Sequence, residues 1–150
     1  MKYSRTKHFK YKLEEREVVQ TCITGYSFRT PYISMFLDGR LSIHKGYAWD
    51  GSSVPFKRTF RILSLGWYDA DKYCKEASLV HDALCQAMRE GLITKKNKST
   101  ADSLYYDMCI AGGMSRRQAL RRWRALRKFG DSGIQPEKNP RNKIYDTRKA

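Results

Sequence analysis

The sequence lacks the marks of a disulfide-rich, zinc-binding or membrane-spanning protein. Its four cysteines form no CxxC pair, which argues against a zinc knuckle and a thioredoxin-like motif. No apolar run approaches the length of a membrane span, and the opening stretch MKYSRTKHFKYK lacks the apolar segment that a signal peptide needs. We therefore expect free thiols, no transmembrane segment, and a protein kept in a reducing cytosol.

Acidic residues are scarce as well, with 15 against 30 basic residues and a net charge of +15. The excess is uneven: residues 1–70 carry +6, residues 71–114 are neutral and residues 115–150 carry +9. Such a basic block attracts polyanions through a field that salt screens. It predicts nucleic acid or an anionic membrane surface as a partner, and a solvated helix face that aids solubility is the alternative.

The N-terminal third has the pattern of antiparallel strands. A β-favouring patch over residues 18–23 predicts a first strand. The Asp38-Gly39 pair between two β-rich runs predicts a hairpin, with strands near residues 32–37 and 40–45. Alternation gives the hairpin one apolar face, formed by Ile33, Met35, Leu37, Leu41 and Ile43, and an opposite face with Ser34, Phe36, Ser42 and His44.

Helical periodicity dominates the rest of the chain. It predicts helices over residues 72–90, 100–112 and 116–130. Residues 57–72 have only short apolar clusters and are expected to form a covering segment. The fold class is therefore α+β, a small antiparallel sheet followed by three helices. One domain over residues 1–130 and a basic irregular tail over residues 131–150 account for the whole chain.

Between the sheet and the helices, the stretch GYAWDGSSVP reads as a loop, because glycine, serine and proline concentrate there. Its candidate site residues are Gly46, Trp49, Gly51 and Ser52, together with Asp50 as its one carboxylate. Glycine permits close approach of backbone oxygens to a ligand. The alternative is a structural turn in which Asp50 caps backbone amides.

Adjacent His81 and Asp82 on the first helix, and Asp102 on the second, form the candidate catalytic group. If they converge, Asp102 orients the imidazole, His81 takes a proton from water, and Asp82 binds a hard cation with help from Asp50. Calcium is the first expectation for that divalent cation. Each residue also has a structural alternative: His81 as a core histidine, Asp82 as a solvated carboxylate, and Asp102 as part of a capping box with Ser99.

The face of the third helix opposite its apolar residues is almost wholly basic, and this pattern predicts a polyanion-binding face. The arginines assigned to it are Arg116, Arg117, Arg121, Arg122, Arg124 and Arg127.

Three motifs in order, GYAWDGSSVP, ASLVHDAL and STADSLYYD, resemble a family of small proteins of unknown function encoded by bacteriophages and prophages. That resemblance implies a phage origin and location in a host cytoplasm or a virion. A second resemblance is to the sn-2-cleaving phospholipases of the parvovirus type. It implies His81 as general base, Asp82 as calcium ligand and Asp102 as the orienting carboxylate, although the loop is not that group's glycine-rich calcium loop and Cys85 replaces a tyrosine.

Two functions follow from these observations. One is a metal-dependent hydrolase of phospholipid or phosphodiester bonds. The other is a noncatalytic phage protein, either a virion component or a binder of host factors or nucleic acid, in which His81, Asp82 and Asp102 form a structural polar network.

Overall fold

The computed structural model describes residues 1–51 and 70–135. Within these residues, seven short strands precede three α-helices, so the α+β prediction is confirmed. The strands are β1 (Tyr3–Ser4), β2 (Tyr11–Leu13), β3 (Glu17–Gln20), β4 (Phe28–Arg29), β5 (Ile33–Met35), β6 (Arg40–Ile43) and β7 (Ala48–Trp49). The helices are α1 (Ala70–Arg89), α2 (Lys98–Ala111) and α3 (Arg116–Phe129), with 3₁₀ turns at Lys95–Asn97 and Gly130–Ile134.

The strands form two antiparallel sheets. One has the order β1-β2-β7 and the other the order β3-β6-β5-β4. The predicted hairpin is β5–β6, and it turns where expected: Gly39 has a φ of +86° and its amide donates to the carbonyl of Phe36 at 2.8 Å. The first strand of this sheet, predicted over residues 18–23, lies at Glu17–Gln20 instead.

One predicted core position of the hairpin is wrong. Leu37 is 67% exposed, whereas Ile33, Met35, Leu41 and Ile43 are buried. The strict alternation fails at Leu37 because β5 ends at Met35, and the following residues enter the turn.

The main core lies between the inner faces of the sheets and α1. Leu79, Val80, Leu84 and Met88 of α1 belong to the same buried cluster as the hairpin's apolar residues. Trp49 also lies in this cluster, and its Nε1 donates to Ser78 Oγ of α1 at 3.2 Å. These contacts fix α1 against the sheets and so set the position of every residue on that helix.

A second, smaller core joins the three helices. Its buried members are Cys74, Ala77, Tyr105, Cys109, Met114 and Ala119. Cys74 has non-helical dihedral angles (φ −120°, ψ 19°) and kinks α1. Next to this kink α2 ends against α1, because a Cβ on Gly112 would lie 2.2 Å from the carbonyl oxygen of Tyr73.

The helix bounds agree with the predicted ones to within two residues at each end, and one predicted cap is wrong. Ser115 caps α3 as its position suggests, accepting from the amide of Gln118 at 3.4 Å. The capping box of Ser99 and Asp102 does not form, because α2 begins at Lys98 after Asn97 and both residues lie inside the helix. No helix within residues 1–51 and 70–135 is long and apolar enough to cross a membrane.

Two predicted segments fall largely outside the described residues. They are the covering segment up to residue 69 and the tail from residue 136. The start of the predicted tail is described: Gly130–Ile134 forms a 3₁₀ turn, and Ile134 is buried in the main core.

Candidate functional site

His81 and Asp102 meet in the interface between α1 and α2. His81 Nε2 lies 2.8 Å from Asp102 Oδ1, and the two residues are only 7% and 1% exposed. The convergence arises because the 3₁₀ turn at Lys95–Asn97 carries the chain directly into α2. Asp102 therefore lies in the second turn of α2, level with His81.

Lys98 is the residue that the sequence analysis missed. Its Nζ lies 2.6 Å from Asp102 Oδ1 and 2.7 Å from Oδ2, and Lys98 is only 7% exposed. The two residues are four apart on α2, a spacing that brings side chains together on one helix face. That spacing was the available signal, but lysine is seldom buried and so was not considered. We call His81, Lys98 and Asp102 the buried triad.

Two further side chains, those of Cys85 and Tyr105, pack around the His81 imidazole. Cys85 Sγ lies 3.7 Å from His81 Nδ1 and 3.9 Å from Nε2. The Tyr105 ring packs edge-on at a centroid distance of 5.5 Å. Water and substrate therefore have little access to either ring nitrogen.

The triad holds charge in the interior. Burial favours the neutral imidazole, but Cys85 and the hydrogen bond to Asp102 outweigh it and raise the pKa of His81 to about 10. Burial likewise opposes the Asp102 carboxylate, yet hydrogen bonds from His81 and Lys98 hold its pKa below the usual range. The raised pKa favours the imidazolium form of His81 at neutral pH. Since an imidazolium has no lone pair, this state cannot take a proton from water.

The two predicted cation ligands lie on different elements, with Asp82 within α1 and Asp50 directly after β7. Asp82 is partly exposed on α1, and Asp50 Oδ1 accepts from the amide of Lys10 at 3.4 Å. Among the described residues, no three His, Cys, Asp or Glu side chains are placed to hold a metal ion. The divalent cation stays a prediction.

The predicted loop is partly a strand. Trp49 belongs to β7 and is 2% exposed, so it is a core residue. Gly46 and Gly51 have φ of +92° and +71°, conformations that glycine adopts without strain. Ser52 lies outside the described residues.

The basic face of α3 is exposed except at Arg122. Arg122 is only 6% exposed, and its Nη1 donates to the hydroxyl of Tyr105 at 3.3 Å, so its assignment to the exposed face is wrong. Lys128, which was not predicted, joins the face. The exposed basic residues, which we call the α3 basic face, are Arg116, Arg117, Arg121, Arg124, Arg127 and Lys128.

Comparison with known protein families finds a match over about two thirds of the chain. The family described as "Protein of unknown function (DUF1353)" matches residues 29–126, which include the hairpin, the buried triad and most of α3. No curated protein and no solved structure matches the chain.

Proposed function

The chain belongs to the DUF1353 family of proteins of unknown function, and we propose that it is a nucleic-acid-binding protein that contacts its ligand through the α3 basic face. The buried triad is, on this proposal, a structural network that holds α2 against α1. The observation that carries the proposal is the placement of six exposed cations on one side of one helix.

The geometry of the α3 basic face suits a phosphate backbone. At 3.6 residues per turn, its six side chains fall within an arc of about 140°, and they extend over about 18 Å of helix. α3 contains no acidic residue to offset them. Because each phosphate of a duplex carries one negative charge, a row of cations at this density can neutralise several phosphates together.

The other side of α3 argues against insertion into an anionic membrane. A helix that lies in a membrane surface needs a free apolar face to bury among the lipids. In α3 the inward residue Ala119 is fully buried, and Leu126 packs against the same small core. Part of the apolar side of α3 is therefore used within the protein, and its two exposed large apolar residues, Leu120 and Phe129, lie about 180° apart around the helix and form no single apolar face.

Hydrolysis by the buried triad is the second candidate, and the 2.8 Å contact between His81 and Asp102 favours it. A calcium-dependent hydrolase that uses histidine as a general base needs an accessible, neutral imidazole beside the cation. The raised pKa of His81 and its 7% exposure support the structural role instead. The origin of the chain in a phage, and its location in a host cytoplasm or virion, stay predictions.

The test is the salt dependence of binding to a labelled DNA duplex. Six phosphate contacts give a slope of log K against log salt of about −5, since each contact contributes about −0.9. A variant with four of the basic residues replaced by glutamine should lose affinity and flatten the slope by about 3 to 4. Its substitutions are Arg117→Gln, Arg121→Gln, Arg124→Gln and Lys128→Gln.

A matched control lowers the net charge equally at exposed lysines elsewhere. Its substitutions are Lys7→Gln, Lys45→Gln, Lys95→Gln and Lys96→Gln. This control should keep most of the slope. Equal losses in both variants would mean that net charge alone drives binding, and the proposal would fail. Tighter binding to anionic vesicles than to DNA would also reject it.

A further inference from the structure

A second cationic surface lies on the four-stranded sheet, away from the buried triad and α3. Cross-strand register puts Arg29, Ser34, Ser42 and Val18 side by side on one face. Val18 is 55% exposed, so this face points outward. A cavity of about 340 Å³ opens here, with Arg16, Arg29, Ser34, Phe36, Ser42 and His44 among its lining. We call it the sheet pocket.

The charge around the sheet pocket is positive. Arg16 and Arg29 line it and are exposed, and none of its lining residues is acidic. Arginine presents a planar fork of donors that matches phosphate oxygens. The pocket therefore attracts an anion, and phosphate fits its rim.

Phe36 lines the sheet pocket, and Tyr32 adjoins the pocket because its carbonyl accepts from the amide of the lining residue His44 at 2.8 Å. Tyr32 and Phe36 flank β5 at its two ends and are 51% and 44% exposed. The Arg40 guanidinium lies 4.9 Å from the centroid of the Phe36 ring. Exposed rings interleaved with arginines suit the flat faces of unpaired bases, because stacking works with any base while the cations contact the backbone.

The floor of the pocket is polar although it is buried. Ser34 and Ser42 are 7% and 5% exposed. Ser34 Oγ lies 2.9 Å from His44 Nε2, and His44 Nδ1 lies 3.1 Å from the carbonyl of Pro31. Since a carbonyl only accepts, Nδ1 carries the proton, and in the neutral ring Nε2 accepts from Ser34. The Ser34 hydroxyl thus donates to His44, and its oxygen keeps a lone pair that can accept a hydrogen bond from a base edge.

We propose that the sheet pocket seats one base of single-stranded nucleic acid, with Phe36 and Tyr32 as stacking surfaces and Arg16 and Arg29 on the flanking phosphates. This inference rests on the proposed nucleic-acid binding and adds that unpaired strands are the preferred ligand. Because only bases can stack on the rings, a stacking contribution to affinity distinguishes a nucleic-acid strand from a polyanion without bases.

The test compares two labelled ligands by fluorescence anisotropy, an oligothymidine of 15 nucleotides and heparin, which is polyanionic but has no bases. Phe36→Ala and Tyr32→Ala should each weaken oligothymidine binding about tenfold, corresponding to a stacking contribution of about 1.4 kcal/mol. Heparin binding should not change. Leu37→Ala is the matched control, since Leu37 is apolar, exposed and next to Phe36, and it should change neither.

The outcomes separate this inference from the proposed function. The four-site α3 variant should weaken binding of both ligands; if it weakens neither, the proposed role of α3 fails, and the aromatic variants still decide the sheet pocket. Unchanged oligothymidine binding in Phe36→Ala and Tyr32→Ala overturns the pocket inference. An equal loss for heparin, or a loss for anionic vesicles in its place, overturns it too. Circular dichroism checks that each variant is folded.

Discussion

Replacing Asp102 with asparagine should cost the fold about 3–5 kcal/mol. Asp102 contacts both Lys98 and His81, at 2.6 Å and 2.8 Å. Asparagine keeps the size of the side chain but removes its charge. Lys98 then loses its buried charge partner and His81 loses the hydrogen bond that favours its charged form, and removing one partner of a buried ion pair typically costs this much.

The assay is urea denaturation at pH 7, followed by tryptophan fluorescence. We expect a lower midpoint with an unchanged slope, which is the sign of lost stability rather than an altered transition. Asp107→Asn is the control, because it removes a carboxylate from an exposed position on the same helix. It should change the free energy of unfolding by no more than about 0.5 kcal/mol.

A companion variant tests whether an unbalanced buried charge causes the loss of stability in Asp102→Asn. Replacing the whole buried triad together, as His81→Leu, Lys98→Met and Asp102→Leu, removes all three charges and keeps apolar volume. Such replacements are often neutral or stabilising, so this variant should be more stable than Asp102→Asn. If Asp102→Asn unfolds like the wild type, the buried triad does not hold the helices together and the structural role is refuted.

Three further predictions concern the pH dependence of stability, the packing of α2 against α1, and the role of Arg122. The folded pKa of His81 is about 10 against an ordinary value of 6.5, so the contribution of its charged form to stability is complete below about pH 6.5 and is lost as pH rises towards 10. The urea midpoint of the wild type should therefore fall steadily from pH 6.5 to 10. The same midpoint in His81→Leu should fall less. Gly112→Ala should cost about 3 kcal/mol or more, since its Cβ would lie 2.2 Å from the Tyr73 carbonyl oxygen. The control Gly91→Ala, at a φ of +73° in open space, should cost only about 1 kcal/mol of backbone strain. Equal shifts of the melting temperature in the two variants would contradict the close packing at Gly112. Arg122→Gln should destabilise the protein by removing a buried donor to Tyr105 but leave the salt slope of DNA binding intact; a flatter slope would mean that Arg122 contacts the ligand.

Local chemistry made much of the fold predictable. The Asp38-Gly39 turn is specified by two neighbouring residues, and the three helices by apolar periodicity within each segment. The sheet β1-β2-β7 was not predicted, because its strands have only two or three residues and β7 pairs with a strand more than thirty residues earlier. Pairing at that separation leaves no short-range pattern.

The candidate site was predictable only in part, for the same reason. His81 and Asp102 stood out as chemical groups, but Lys98 could be assigned only once the start of α2 was known. Arg122 was misassigned because arginine on a basic helix is usually solvated, whereas here Tyr105 of α2 supplies a buried acceptor for it. For Arg122 the acceptor belongs to a neighbouring helix, and for Lys98 the acceptor Asp102 lies on the same helix but is buried against His81 of α1, so contacts between helices decide that both charges are buried.

The most direct test of the account is an NMR titration of the labelled protein with duplex DNA. We expect chemical-shift changes concentrated in the exposed residues of α3, with the ring signals of His81 unmoved, because α3 binds the duplex and the buried triad only supports the fold. Shifts centred on His81 and Asp102, with α3 unchanged, would contradict the account and would assign ligand binding to the buried triad.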